Sequence, residues 1–221
     1  RQCFGRPLYP KEKECRLNTA LCTWPHDHSH LYYTDGISET CTRTDASILQ
    51  ARKDIDHQEK RNQIHFDEHQ FIYRSSICKL SEQIQNAILV SPVPLPIRGR
   101  SGQLATSEIW RGLFLHDDRI FYTKMEEEQP SFSVDLVLDA SASCMDYQET
   151  LAAQSYVIAQ SLQKCRIPVQ VTSFSSLRSY TVIHRFIRYN ETDKNTNLFR
   201  YFAAGWNRDG LALRAIHQLM E

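Results

Sequence analysis

From Val134 to Leu138 the chain reads Val-Asp-Leu-Val-Leu, a nearly unbroken apolar run that stops at Asp139. Such a run without alternation is what a central parallel strand covered on both faces requires. Leu151, Ile158, Leu162 and Cys165 then recur at helical spacing from Gln148 through Lys164, and Ile167 to Val171 alternates as a strand does. Strand, helix, strand predicts a crossover unit, with Val134 to Leu138 in the centre of a sheet and Val169 to Phe174 beside it. Ser175 to Ser179 reads as the connection of a hairpin, which puts Thr181 to Phe186 antiparallel at the sheet edge. Asn190 to Asn197 is polar loop, and Leu211, Leu213, Ile216, Leu219 and Met220 predict a last helix after Gly210.

Upstream the pattern weakens. Between Thr44 and Val90, Ile48, Ile55, Ile64, Ile72, Ile77, Leu80, Ile84 and Ile88 stand at loose helical spacing in a polar background, which predicts two helices, the first capped at Thr44-Asp45. Pro92, Pro94 and Pro96, followed by Gly99 and Gly102, end the helical pattern and form a linker. A short segment around Trp110-Arg111 and a strand from Arg119 to Tyr122 follow, with turn chemistry at Asp117-Asp118. Arg1 to about Thr42 has little periodicity and reads as irregular. The expected organisation is a Cys/His-rich segment over 1–43, a helical region and linker over 44–98, and an α/β domain over 99–221. The N-terminal zone should pack as an appendage beside that domain.

Composition narrows the functional classes. Twenty-six basic residues balance 26 acidic ones, so no global field favours nucleic acid or anionic lipid, and a binding role must come from a local site. No 18-residue apolar run and no signal-peptide order is present, so the expectation is a cytoplasmic chain without membrane insertion. Seven cysteines, several inside helical or apolar patterns, point to reduced thiols rather than disulfides. The start at Arg1 and the end at Glu221 inside a helical pattern suggest a fragment of a longer chain.

Two places offer metal ligands. Asp139, Ser141 and Ser143 alternate directly after the apolar strand, where ligands of open α/β sheets bind, so one carboxylate and two hydroxyls can converge from a single turn. These are hard oxygen donors suited to magnesium, calcium or manganese. Cys15, Cys22, His26, His30 and Cys41 offer thiolates and imidazoles for tetrahedral zinc, although their spacing fits no regular template and loop thiols with surface histidines are the plainer reading. His57, His65 and His69 read as a solvated helix face. No Gly-x4-Gly-Lys-Ser/Thr loop is present, so nucleotide hydrolysis is not expected of this chain.

The strand and loop Val134 to Ser143, the helix after it, the strand Val169 to Phe174 and the segment Gly205-Trp206-Asn207-Arg208-Asp209-Gly210-Leu211-Ala212-Leu213-Arg214 together resemble a von Willebrand factor A domain. More narrowly they are similar to bacterial nitric-oxide-reductase-activation proteins and to the cobalt-chelatase subunit that carries this domain. The resemblance covers about Arg100 to Glu221. It implies a three-layer Rossmann-like domain with a mostly parallel sheet and an antiparallel edge strand. It also implies a metal-ion-dependent adhesion site in which Asn207, or alternatively Asp209, joins Asp139, Ser141 and Ser143. Family members continue into a further strand with an Asp-Gly loop that this chain lacks, so a sheet without its later strands is expected. The implied function is non-catalytic: a metal-dependent interaction module, acting with a MoxR-type or chelatase-type AAA+ ATPase, whose ion takes an acidic side chain of a partner or client. A magnesium-dependent phosphoryl hydrolase is the alternative, disfavoured because position 141 is Ser where such enzymes place a second carboxylate.

Overall fold

The computed structural model describes residues 5–36, 46–89, 97–123, 132–189 and 191–220. The apolar run and its neighbours form the expected sheet core. Strand β5 (Val134–Asp139) pairs in parallel with β6 (Val169–Leu177), and β6 pairs antiparallel with β7 (Tyr180–Ile187). Helix α5 (Gln148–Lys164) makes the crossover between β5 and β6. The hairpin is tighter than the polar Ser175-Ser176 suggested, because the serine side chains are accommodated in the ladder. Ser176 is buried with its hydroxyl 3.0 Å from that of Thr181, so β6 runs on to Leu177 and only Arg178-Ser179 turns.

Two sheet positions differ from expectation. The four strands lie in the order β1-β7-β6-β5, where β1 is His30–Thr34 from the N-terminal segment. Strand β1 pairs in parallel with β7, so β7 is internal and two of the three pairings are parallel. The reason is burial: Leu31, Tyr32, Tyr33 and Thr34 are all buried, a continuous strand that the surrounding polar residues concealed. Conversely, β5 is not central. Among the described residues it has one neighbour, β6, and it is half-buried along its whole length.

Helices cover both faces. On one, Leu31, Tyr33, Phe174 and Ile183 pack against Leu211, Ala212, Ala215, Ile216 and Leu219 around helix α6 (Asp209–His217), with Leu17 and Leu21 of α1 (Lys11–Leu21) against them. The Tyr33 hydroxyl donates to the Ala215 carbonyl at 3.1 Å, and burial pushes that phenol well above its ordinary pKa. The alternate positions of β6, Val169 and Val171, are fully buried on the other side of the strand. Helix α5 packs against α2 (Ala46–Glu68) and the short 3-10 helix Asn195–Arg200; between them Tyr156 stacks on Phe199, and Phe66 meets Tyr156 edge-on and Phe199 at a tilt. Strand β1 and the inner faces of α1 and α2, all in the expected N-terminal appendage, are therefore part of the core.

Helix α2 is fastened by a fully buried Asn62, whose amide donates to the carbonyls of Phe199 and Tyr201 at 2.8 and 2.9 Å. Gln58 donates to the Asn62 oxygen at 2.9 Å and to Glu149 at 3.1 Å, and Arg61 pairs with Glu149 at 2.6 Å. Helix α3 (Gln70–Leu89) meets α5 through the Ser81 and Ser161 hydroxyls, each close to a carbonyl on the facing helix.

The chain divides into two compact units, at boundaries other than 43 and 98: Arg1–Ile84 with Ser133–Glu221, and Gln85–Phe132. The lead-in that the sequence assigned to the α/β domain thus belongs to the second unit. There β2 (Ile97–Gly99), β3 (Gln103–Leu104) and β4 (Phe121–Thr123) make a small antiparallel sheet in the order β2-β4-β3. Helix α4 (Ile109–Leu115) ends at His116 in the left-handed conformation, and Asp117 accepts the Arg119 amide in the expected turn. Thr44, Asp45, Pro92, Pro94 and Pro96 lie outside the described residues.

Candidate metal centre

The last residue of β5 is Asp139, and the chain beyond it is fixed by its backbone. The Ala140 amide donates to the Phe174 carbonyl at 2.9 Å, which extends the β5–β6 ladder by one bond. The Ala140 carbonyl accepts the Ala204 amide at 2.8 Å, and the Ala142 amide donates to Gly205 at 2.9 Å. The Tyr201 hydroxyl donates to the Asp139 carbonyl and lies against Cys144; burial raises its pKa. Buried Gln148 accepts the Ala203 amide at 2.7 Å and donates to Met145 at 3.2 Å, tying the 201–205 segment to the loop. Phe174, Tyr201, Ala203 and Gln148 among these anchors are buried, so much of the loop's backbone is fixed by packed residues.

On this frame three side chains converge. The Asp139 carboxylate accepts the Ser141 amide at 2.8 Å through one oxygen, a short-range turn closed by the side chain. Its other oxygen accepts the Ser141 hydroxyl at 3.0 Å, and the Ser141 and Ser143 hydroxyl oxygens are 2.8 Å apart. Asp139 is half-buried, Ser141 buried and Ser143 exposed, so the cluster opens to solvent on the Ser143 side.

The donor chemistry fits a small hard cation. Magnesium takes oxygens at about 2.0–2.1 Å in an octahedron, which puts neighbouring ligand oxygens about 3 Å apart. The observed separations of 2.8 and 3.0 Å are those of hydrogen bonds among the three side chains, which a bound cation would replace. Calcium, at about 2.3–2.6 Å, needs a wider cage.

Asn207 and Asp209 are not brought into this cluster. Both are exposed, and Asp209 occupies the first turn of α6. Their segment nevertheless runs beside the loop: Trp206 exchanges both backbone bonds with Ser176 at 2.7 Å, and Gly205 is bonded to Ala142. Gly205 has φ +81°, and an added Cβ would stand 2.4 Å from the Ser176 carbonyl, so close approach of the two backbones requires glycine there.

The second set of candidate ligands disperses. Cys15 is exposed on α1, Cys22 sits at its end against the core with its thiol 3.5 Å from Asn18, His26 lies in a turn, and His30 opens β1 beside the Tyr180 ring. Among the described residues no three His, Cys, Asp or Glu side chains gather as a metal group, so these four do not form the tetrahedral zinc site; Cys41 lies outside the described residues. The physical reason is that helix α1 and strand β1 use this stretch to build core.

Sequence reasoning missed Tyr201, Gln148 and Asn62, which hold the loop from behind. Each lies far from Asp139 along the chain or reads as an ordinary polar helix position, so only the fold shows its part. No helix among the described residues is long and apolar enough to cross a membrane. Comparison with known proteins adds no relative: no family model, no curated protein and no solved structure matches the chain.

Proposed function

We propose that this chain is a metal-dependent protein-interaction module of the von Willebrand factor A type. Asp139, Ser141 and Ser143 hold a divalent cation of magnesium size, and an acidic side chain of the partner completes its shell. The observation that carries this reading is the convergence of one carboxylate and two hydroxyls at 2.8 to 3.0 Å on a loop pinned by packed residues. A bound cation would supply positive charge to that open face. Asp139 brings the cluster's one full negative charge, and the two serines bring neutral oxygens. Neutralisation is therefore incomplete, and an incoming Asp or Glu gains more than water does.

Asn207 or Asp209 would enter the shell by a movement of the exposed 206–209 segment. The partner that the family resemblance favours is a MoxR-type or chelatase-type AAA+ ATPase, or the client on which the pair acts. The single carboxylate of the cluster argues against phosphoryl hydrolysis, which calls for a second acidic ligand or base.

The test is recovery of a MoxR-type AAA+ ATPase by the full chain, with magnesium and with chelator. Magnesium-dependent recovery that is lost in Asp139→Ala supports the metal bridge. Equal recovery under all conditions overturns it.

A further inference from the structure

The end of α2 and the start of α3 bring three ring side chains together. His65, His69 and Tyr73 follow one another at intervals of four residues, so they share one helical face. The centroids of the His65 and His69 rings are 4.7 Å apart, and the Tyr73 ring lies 6.3 and 6.2 Å from them. The joint between the two helices keeps this spacing, because the Tyr73 amide donates to the His69 carbonyl at 3.2 Å. Tyr73 is also stacked on the buried Phe66 ring, which holds it from the core side. Hydrogen bonds decide which nitrogens are free. His69 Nδ1 is 2.9 Å from the His65 carbonyl. A carbonyl only accepts, so Nδ1 carries the ring proton and Nε2 keeps its lone pair, which is how metal-binding imidazoles are held. His65 Nε2 is 3.0 Å from the Tyr73 hydroxyl, which can donate or accept, so His65 can offer either nitrogen. His69 is exposed and His65 half-buried, so the face opens to water. The nearby charge suits a cation: exposed Asp67 and Glu68 share the turn and Glu149 stands near His65, against Arg74 and an Arg61 already paired with Glu149.

We infer that His65 and His69 form a two-imidazole site for a first-row transition cation of the nickel, copper or zinc class, with water in the remaining positions and the Tyr73 hydroxyl orienting His65. Two histidines four residues apart on a helix can reach one ion, as in the His-Glu-x-x-His motif. An ion about 2.0–2.1 Å from one nitrogen of each ring sets the two centroids about 4.5–5.5 Å apart, and the observed 4.7 Å falls in that span. Imidazole favours these ions, whereas magnesium, calcium and manganese favour oxygen. The site is therefore independent of the oxygen cluster at Asp139, and either can fail without the other. A bound ion clips the last turn of α2 at its joint with α3.

Calorimetric titration of the full chain with nickel, in excess magnesium to fill oxygen sites, tests this. The expected result is a nickel site whose affinity falls about tenfold or more in His69→Gln and in His65→Gln. It should be unchanged in His57→Gln, an exposed histidine on the same helix with no histidine four residues away. Affinity should fall from nickel to cobalt to manganese. Thermal unfolding gives an independent readout, since an ion that binds only the folded helix raises Tm in the wild type and not in His69→Gln. Nickel affinity that is unchanged in both His65→Gln and His69→Gln, or that falls as far in His57→Gln, overturns the site. So does a nickel-induced rise in Tm that survives His69→Gln.

Discussion

The loop after β5 and the segment leading into β1 both carry ligand-type side chains a few residues apart, and each is clamped by one asparagine. The clamps act on different things. Asn62 reaches from α2 to the carbonyls of Phe199 and Tyr201, so it fixes the backing of the Asp139 loop and leaves that loop's own side chains free. Asn18 donates to Glu14 and Leu31 and accepts the Leu31 amide at 2.6 Å, so it fixes β1 itself. In the first region the candidate ligands stay together, with Ser143 at the surface. In the second, packing takes the strand into the core and scatters the thiols and imidazoles. Ligand-type residues gather where the fixed backbone is a surface turn that brings alternate side chains together, and disperse where it is a helix and a strand built into the core.

The sharpest way to break this contrast is Asn62→Ala. It strips the donor from two buried carbonyls, at about 1–3 kcal/mol each, and should lower stability by about 2–4 kcal/mol in chemical denaturation. A loss below about 1 kcal/mol would mean that the loop is not backed by α2. Gly205→Ala comes next: a Cβ at φ +81° and 2.4 Å from Ser176 should cost about 1–3 kcal/mol and loosen the contact with Ala142, visible as faster exchange of the Ala142 and Trp206 amides. Asn18→Ala, part-buried, should cost about 1–2 kcal/mol while leaving cation binding at Asp139 unchanged.

A pH dependence on the β1 side tests the comparison from another direction. Burial holds the His184 imidazole at about 4, and its ring fills the space above Gly36, against the charges of Asp35 and Arg200. The unfolded chain takes up this proton near the ordinary 6.5, so the folded state is favoured above that pH and loses stability as pH falls from about 6.5 towards 4. His184→Gln should flatten that part of the stability profile; an unchanged slope would assign it to other groups.

Much of the sheet was legible because β5, α5, β6 and β7 announce themselves by unmixed periods. The position of β5 was not. Its apolar run suits a strand with two neighbours, and pairing on its far side is a tertiary matter that no local period encodes. Strand β1 was hidden for the opposite reason: Leu31 to Thr34 is too short and too polar in its surroundings to stand out, and its burial comes from β7 and α6. In the site, Asp139, Ser141 and Ser143 were readable because a two-residue alternation in one turn brings side chains together locally. Asn207 and Asp209 depend on the placement of a separate segment. Tyr201 and Asn62 depend on contacts that span 62 residues and more than 130.

The central claim is that the Asp139 loop holds a hard divalent cation with an open position. Water-proton relaxation during titration of the full chain with manganese measures this most directly, because a bound ion that keeps exchangeable water enhances relaxation. The account predicts a single enhancing site that magnesium displaces, lost in Asp139→Ala, weakened less by Ser141→Ala and unaffected by Cys22→Ser. An enhancement that survives Asp139→Ala, or one abolished by Cys22→Ser, would contradict it.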